Sequence, residues 1–169
     1  MTNLKINISN LQDGEHIYSF TATSKELEIE TVDIASDVLI EANLYKTGNQ
    51  FDLNVKISGK FKLLCDRCIE DYVQGFDNSF EVIYKFDFVQ DDIENDDDDI
   101  KFIPPKTNYI NLVEDVRDYI VLSVPMKQVP EEKDDHCTYC NKNITDLINI
   151  VRQPEVSPVW EKLIQAKSK

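Results

Sequence analysis

Glycine, histidine and tryptophan are scarce in this chain of 169 residues, which has four, two and one of them. Four glycines leave no room for a Gly-rich loop that cradles phosphates. The two histidines, His16 and His136, offer no Ser-His-Asp ordering for a nucleophile and its base. Bases are short too: 18 Lys and Arg face 32 Asp and Glu, for a net charge of -14. Such a balance disfavours a nonspecific grip on phosphate backbones and binding to anionic membranes. Long apolar runs are missing, and no segment approaches the roughly 20 residues of a membrane span. Met1-Thr2-Asn3-Leu4-Lys5-Ile6 runs straight into an alternating pattern and lacks the apolar core of a secretory signal. These absences predict a cytoplasmic protein that is not an enzyme, with no membrane partner and no small-molecule substrate.

Cysteine is sparse but organised. All four residues fall in two Cys-x-x-Cys pairs, Cys65-Asp66-Arg67-Cys68 and Cys137-Thr138-Tyr139-Cys140. This is the spacing of a structural zinc site, in which each pair clasps the metal from a tight turn. A reducing cytoplasm favours metal ligation over disulfides. The alternatives are buried thiols, two independent sites, or replacement of one sulfur by His136. Four thiolates leave no open coordination position for water, which argues against a metal-dependent hydrolase.

Length and a hydrophobic content of 41% suit one domain over residues 1-169. Leu4, Ile6 and Ile8 alternate with polar residues, as do His16, Tyr18, Phe20 and Ala22, and Asp13-Gly14 between them offers a hairpin turn. Residues 24-36 suit either a strand or a helical turn. Val38, Ile40, Ala42 and Leu44 share one parity. After a loop containing Gly48, so do Phe51, Leu53, Val55, Ile57, Phe61, Leu63 and Cys65. Gly59 interrupts that face and predicts a bulge or bend. A further strand carries Phe76, Phe80, Val82, Tyr84, Phe86 and Phe88 on one face, so Cys65 to Cys68 sits at a hairpin tip. A thioredoxin-type redox motif would open a helix instead.

Eight acids (Asp87, Asp91, Asp92, Glu94 and Asp96 to Asp99) follow without a base, more than half of the net charge. The density predicts a disordered loop over 89-100. It lacks the central Gly and distal Glu of an EF-hand. Asn111, with Glu114 three residues on, matches a capping box for a helix ending at Pro125, whose stripe is Leu112, Val113, Val116, Tyr119, Ile120 and Val124. Met126 to Asp135 reads as a polar loop. Asn141 suits a left-handed position after the second pair. Ile144, Leu147, Ile148 and Val151 predict a short helix, and Ser157-Pro158 with Trp160 a last one. Lys56, Lys60, Lys62 and Arg67 form a local basic strip along the hairpin, which is either a binding surface or an ordinary solvated face.

The stretch Gly59-Lys60-Phe61-Lys62-Leu63-Leu64-Cys65-Asp66-Arg67-Cys68 resembles the "G-x-x-x-L-x-C-x-R-C" segment of the bacterial YceD family. Leu112 to Met126 is similar to its acidic-apolar helix ending in an "L-x-x-P" turn. Cys137 to Ile144 and Ser157 to Leu163 resemble its "C-x-x-C-G-x-N-L" and "D-P-R-W-x-x-L" elements. Asn141, Ser157 and Val159 depart from that pattern, and none of them touches the cysteines. The resemblance implies a role in accumulation of large-subunit ribosomal RNA.

The expected fold is α+β: a curled antiparallel β-sheet packed by a helix, with a four-cysteine zinc clasp of Cys65, Cys68, Cys137 and Cys140 joining the central hairpin tip to the C-terminal segment. The expected function is noncatalytic assembly of the large ribosomal subunit through ribosomal RNA or a ribosomal protein, contacted near Lys60, Lys62 and Arg67. The alternative, favoured by the charge, is a zinc-stabilised protein adaptor with no nucleic-acid role.

Overall fold

The computed structural model describes residues 4–86 and 100–151. The acidic run up to Asp99, Phe88 and the helix expected after Ser157 lie outside the described residues. The chain divides into two compact units, Met1–Leu63 with Val73–Met126 and Leu64–Tyr72 with Lys127–Lys169.

The first unit is built on a five-stranded sheet in the order β2-β3-β4-β5-β6: β2 Gly14–Ala22, β3 Val38–Thr47, β4 Gln50–Leu64, β5 Asp71–Phe86 and β6 Ile100–Ile103. β2, β3 and β4 pair antiparallel, with Glu41 opposite both Ser19 and Lys56. The period-2 reading holds along this sheet, because one face must be buried and a one-residue slip would turn every apolar side chain to water. Val38, Ile40, Ala42, Leu44, Phe51, Val55 and Ile57 are all wholly buried.

The all-antiparallel expectation fails at the edge, where β6 runs parallel to β5 with Ile83 opposite Ile100 and Phe86 opposite Ile103. The sheet is therefore mixed. A parallel neighbour cannot be reached by a tight turn, which is why the hairpin-like alternation of the sequence does not reveal it. The β1–β2 hairpin expectation fails as well. β1 (Lys5–Asn7) pairs antiparallel with β7 (Tyr109–Asn111), and β2 pairs with β3. Residues 24–29 form a turn and no strand, closed by Thr23 and Glu26: the Glu26 carboxylate accepts the Thr23 N–H at 3.0 Å and the Glu26 N–H reaches Thr23 Oγ1 at 3.4 Å. This reciprocal pairing buries Leu27 and Ile29.

Gly59 serves a close approach. β4 is continuous through it, and a Cβ there would stand 2.7 Å from Phe76 Cζ. The Phe76 ring occupies that space and stacks on Phe61, centroids 4.2 Å apart. The irregularity lies on the neighbouring chain instead: between Ile34↔Phe61 and Leu39↔Ser58, five residue steps there face three on β4.

Helix α1 spans Val113–Leu122, shorter at both ends than the apolar stripe suggests. Asn111 belongs to the β7 ladder opposite Lys5 and Leu112 takes the N-cap position, yet the Asn111 side chain still accepts the Val113 N–H at 3.4 Å. Val116 and Ile120 are buried, and Tyr119 stacks on Phe80 of β5 at 4.1 Å. Asp115 accepts from Tyr84 Oη at 2.8 Å and pairs with Lys101. Burial, then the neighbouring Asp115 charge, raises the Tyr84 phenol well above its usual range. No helix among the described residues is long and apolar enough to cross a membrane.

Candidate metal centre

The second unit holds all four cysteines. Among the described residues its secondary structure, beyond the end of β4 and the start of β5, is a two-stranded ribbon of β8 (Glu132–Lys133) and β9 (His136–Cys137), followed by α2 (Ile144–Val151). The polar-loop expectation for 126–135 missed this ribbon. Its turn is Asp134-Asp135, with φ of 51° and 60°. Two left-handed residues make the mirror-image turn that matches strand twist, and Asp tolerates that region better than most residues. Asn143 caps α2 by accepting the Thr145 N–H at 2.9 Å.

Each cysteine pair folds into the same loop. In the first, the Ile69 N–H donates to the Cys65 carbonyl at 2.9 Å and the Cys65 N–H to the Glu70 carbonyl at 3.0 Å. In the second, the Asn141 N–H donates to the Cys137 carbonyl at 2.8 Å and the Cys137 N–H to the Lys142 carbonyl at 3.1 Å. The residue after each second cysteine is left-handed, Ile69 and Asn141 both at φ 56°. A Cys-x-x-Cys chain must reverse this tightly to aim two sulfurs at one point. Asn141 was legible as such a residue; Ile69 was not, since a β-branched side chain is among the worst suited to positive φ.

All four cysteines carry free thiols. The sulfurs of Cys65, Cys68 and Cys137 lie within 4.8 Å of one another. Cys140 falls outside that mutual spacing, but its thiol interacts with Cys68 and with Cys137. A tetrahedral thiolate site needs S···S separations of about 3.8 Å, from metal–sulfur bonds of about 2.3 Å, so the three clustered sulfurs are compatible with one shared metal. Burial pushes the Cys68 thiol pKa up to about 12. Burial opposes ionisation of Cys137 too, but the Cys140 and Tyr139 N–H groups and the neighbouring thiols outweigh it and lower its value. His136 is not among the residues whose donor atoms cluster here, and its Nδ1 is bonded to the Asp134 carbonyl at 2.7 Å.

Arg67 is the residue whose placement differs most from a surface role. Its side chain is only 11% exposed, ion-paired with Glu132, and its Nη2 donates to the Pro130 carbonyl at 3.3 Å. Burial opposes its charge, but Glu132 and then Cys65 and Cys137 hold the guanidinium firmly protonated. It is thus a fixed counter-charge beside sulfurs that a metal would keep ionised. Asp66 knits the same loop to the following segment, its N–H donating to the Gln128 carbonyl at 2.8 Å and its carboxylate accepting the Gln128 N–H at 2.7 Å. Glu132, Pro130 and Gln128 carry no motif and could be found only once the ribbon was in place.

Lys60 and Lys62 are exposed on the solvent face of β4. Lys56 shares their parity and stands opposite Glu41, and that face of the first unit carries Glu15, Asp52, Asp77, Glu81 and Lys85 as well, so the lysines do not make a uniformly basic strip. At one end, Glu15, Asn43, Tyr45, Asp52, Asn54, Glu81 and Ile83 line a shallow groove without a base.

Residues 53–166 match the family described as Large ribosomal RNA subunit accumulation protein YceD. No curated protein and no solved structure gives a significant match.

Proposed function

The chain belongs to the YceD family, and from that membership we propose that it is a noncatalytic cytoplasmic factor in the accumulation of large-subunit ribosomal RNA. The family match over most of the chain carries this reading. In it, Cys65, Cys68, Cys137 and Cys140 hold a structural zinc ion that closes the second unit. The all-sulfur donor set supports zinc, because four thiolates satisfy its tetrahedral preference and leave no place for a reactive water. Arg67 offsets part of the negative charge that four thiolates leave on the site.

The surface that meets the ribosomal partner is a separate question. Lys56, Lys60 and Lys62 support contact with RNA, whereas the net charge of -14 favours a ribosomal protein. Deletion of the gene tests the role itself: reduced large-subunit RNA and co-sedimentation of the protein with precursor particles are expected. Normal RNA levels with no co-sedimentation would sink it. The Lys60→Glu/Lys62→Glu double variant separates the partners. Salt-sensitive RNA binding that it abolishes supports RNA, and unchanged function in its presence supports the protein partner.

A further inference from the structure

The five-stranded sheet protects one edge and leaves the other open. β6 has four residues, includes Lys101, and is followed at once by Pro104-Pro105, all of which discourage another strand from adding there. β2, at the opposite edge, runs for nine residues, Gly14 to Ala22, without a lysine, an arginine or a proline. Among the described residues nothing pairs with its outer side. About half of its residues therefore direct their N–H and C=O groups away from β3. Its inward side chains are also incompletely covered. Leu44, Ala42 and Ile40 of β3 are wholly buried, whereas their partners His16, Tyr18 and Phe20 on β2 are only half-buried. Tyr18 and Phe20 lie nearly parallel, centroids 6.3 Å apart. On the solvent face Ile17 is 73% exposed.

Charge selects the occupant. The solvent face of β2 carries Glu15 and no base; Glu41 on β3 stands opposite Lys56 of β4, and Lys46, the one Lys or Arg on β2 or β3, is held by Asp13 at 2.6 Å. Glu15 stands at the mouth of the groove it shares with Asp52 and Glu81. Asn43 and Asn54 steady two of these carboxylates, donating to Glu15 and Glu81 at 2.7 Å each.

We propose that the outer edge of β2 docks an extended, basic segment of a partner protein, which adds to the sheet as a sixth strand. Main-chain hydrogen bonds supply the grip and alternate side chains the choice of partner. The inward residues of the added strand cover Tyr18 and Phe20, and its outward lysines or arginines stand beside Glu15 at the mouth of the groove. A second copy of this chain fits less well, since it brings the same net negative charge to an acidic edge. The inference stands on the edge and its charge and does not require the ribosomal reading.

Hydrogen–deuterium exchange of the full chain, alone and with an alternating Lys-Val decapeptide, tests it. Expected are rapid exchange at alternate β2 amides in the free protein and protection within 14–22 on adding the peptide. An alternating Glu-Val decapeptide should give none. The Glu15→Lys/Glu41→Lys variant, which alters only exposed side chains, should bind the basic peptide about tenfold more weakly, and moderate salt should weaken wild-type binding. Protection already present in the free monomer would overturn the proposal by showing that the chain covers its own edge. So would protection that grows with protein concentration, or peptide protection elsewhere than β2.

Discussion

The two cysteine loops share one hydrogen-bonding pattern yet differ in what surrounds them. The first turns between β4 and β5 and carries an isoleucine at the left-handed position; the second follows a two-residue ribbon strand, leads into α2, and carries an asparagine there. The first is braced by a largely buried charge, Arg67 through Glu132 and Pro130. The second is braced by a neutral residue, Thr138, whose N–H and Oγ1 both donate to the Glu131 carbonyl at 3.2 and 2.7 Å, and its ion pair, Lys142 with Glu70 at 3.1 Å, is exposed. One geometry reached from such different residues shows that the demand on the loop comes from where the sulfurs must point. Local preference yields to it, and in the first loop the strain falls on Ile69.

The sharpest way to break the comparison is to remove a ligand from each loop. If both serve one zinc ion, Cys68→Ser and Cys140→Ser should each abolish the one zinc per chain and destabilise the second unit by more than about 3 kcal/mol, because metal binding is folding free energy there. Metal analysis with chelator-induced unfolding checks this, and a variant that keeps a full complement of zinc would mean that the pairs act separately.

Next comes the brace. Arg67→Met should cost about 1 to 2 kcal/mol through the lost charge-assisted bonds and lower zinc affinity about tenfold, read by competition with a chromophoric chelator. Arg67→Lys should recover little of it, since an ammonium cannot span a carboxylate and a carbonyl as the planar fork does. A fully functional Arg67→Lys would show that charge alone matters.

The left-handed positions give a smaller effect of opposite sign. Ile69→Gly should stabilise by about 1 kcal/mol, since glycine carries no Cβ penalty at φ 56°. Asn141→Gly should gain clearly less, because asparagine tolerates that region. Thermal melts of the zinc-loaded protein decide it, and a destabilising Ile69→Gly would mean that the isoleucine side chain makes a contact of its own.

The smallest effect belongs to Lys142→Met, for which no measurable shift in midpoint is expected from so exposed a pair. Its hydrogen bond to Glu70, and then the Glu70 charge, raise the Lys142 value. Whatever stability this contributes is present below the ordinary lysine value and fades only as pH rises through the raised one. A measurable fall in midpoint for Lys142→Met at pH 7 would contradict this prediction.

Much of the first unit was legible because burial of one sheet face enforces strict alternation. Val38 to Leu44 and Phe51 to Leu63 show it residue by residue. The cysteine spacing likewise announced that the two pairs come together, and Cys65, Cys68 and Cys137 do cluster. What escaped notice did so for physical reasons. The pairing of β1 with β7 and the parallel β5–β6 contact join segments far apart in the chain, and no local signal records a partner that distant. Asp134-Asp135 was readable as a turn only with the ribbon known. Arg67 looked like a surface cation because its type favours exposure, and only the approach of Glu132 and Pro130 shows that it is enclosed.

By itself, then, the sequence determined which faces are buried, where the sulfurs lie and where charge accumulates, because these depend on composition and short periods. Tertiary structure decided which strands meet, which edge stays open, and whether a given cation is enclosed in the fold or left for a partner. Those outcomes depend on contacts between residues tens of positions apart, whose geometry no short window of the chain contains.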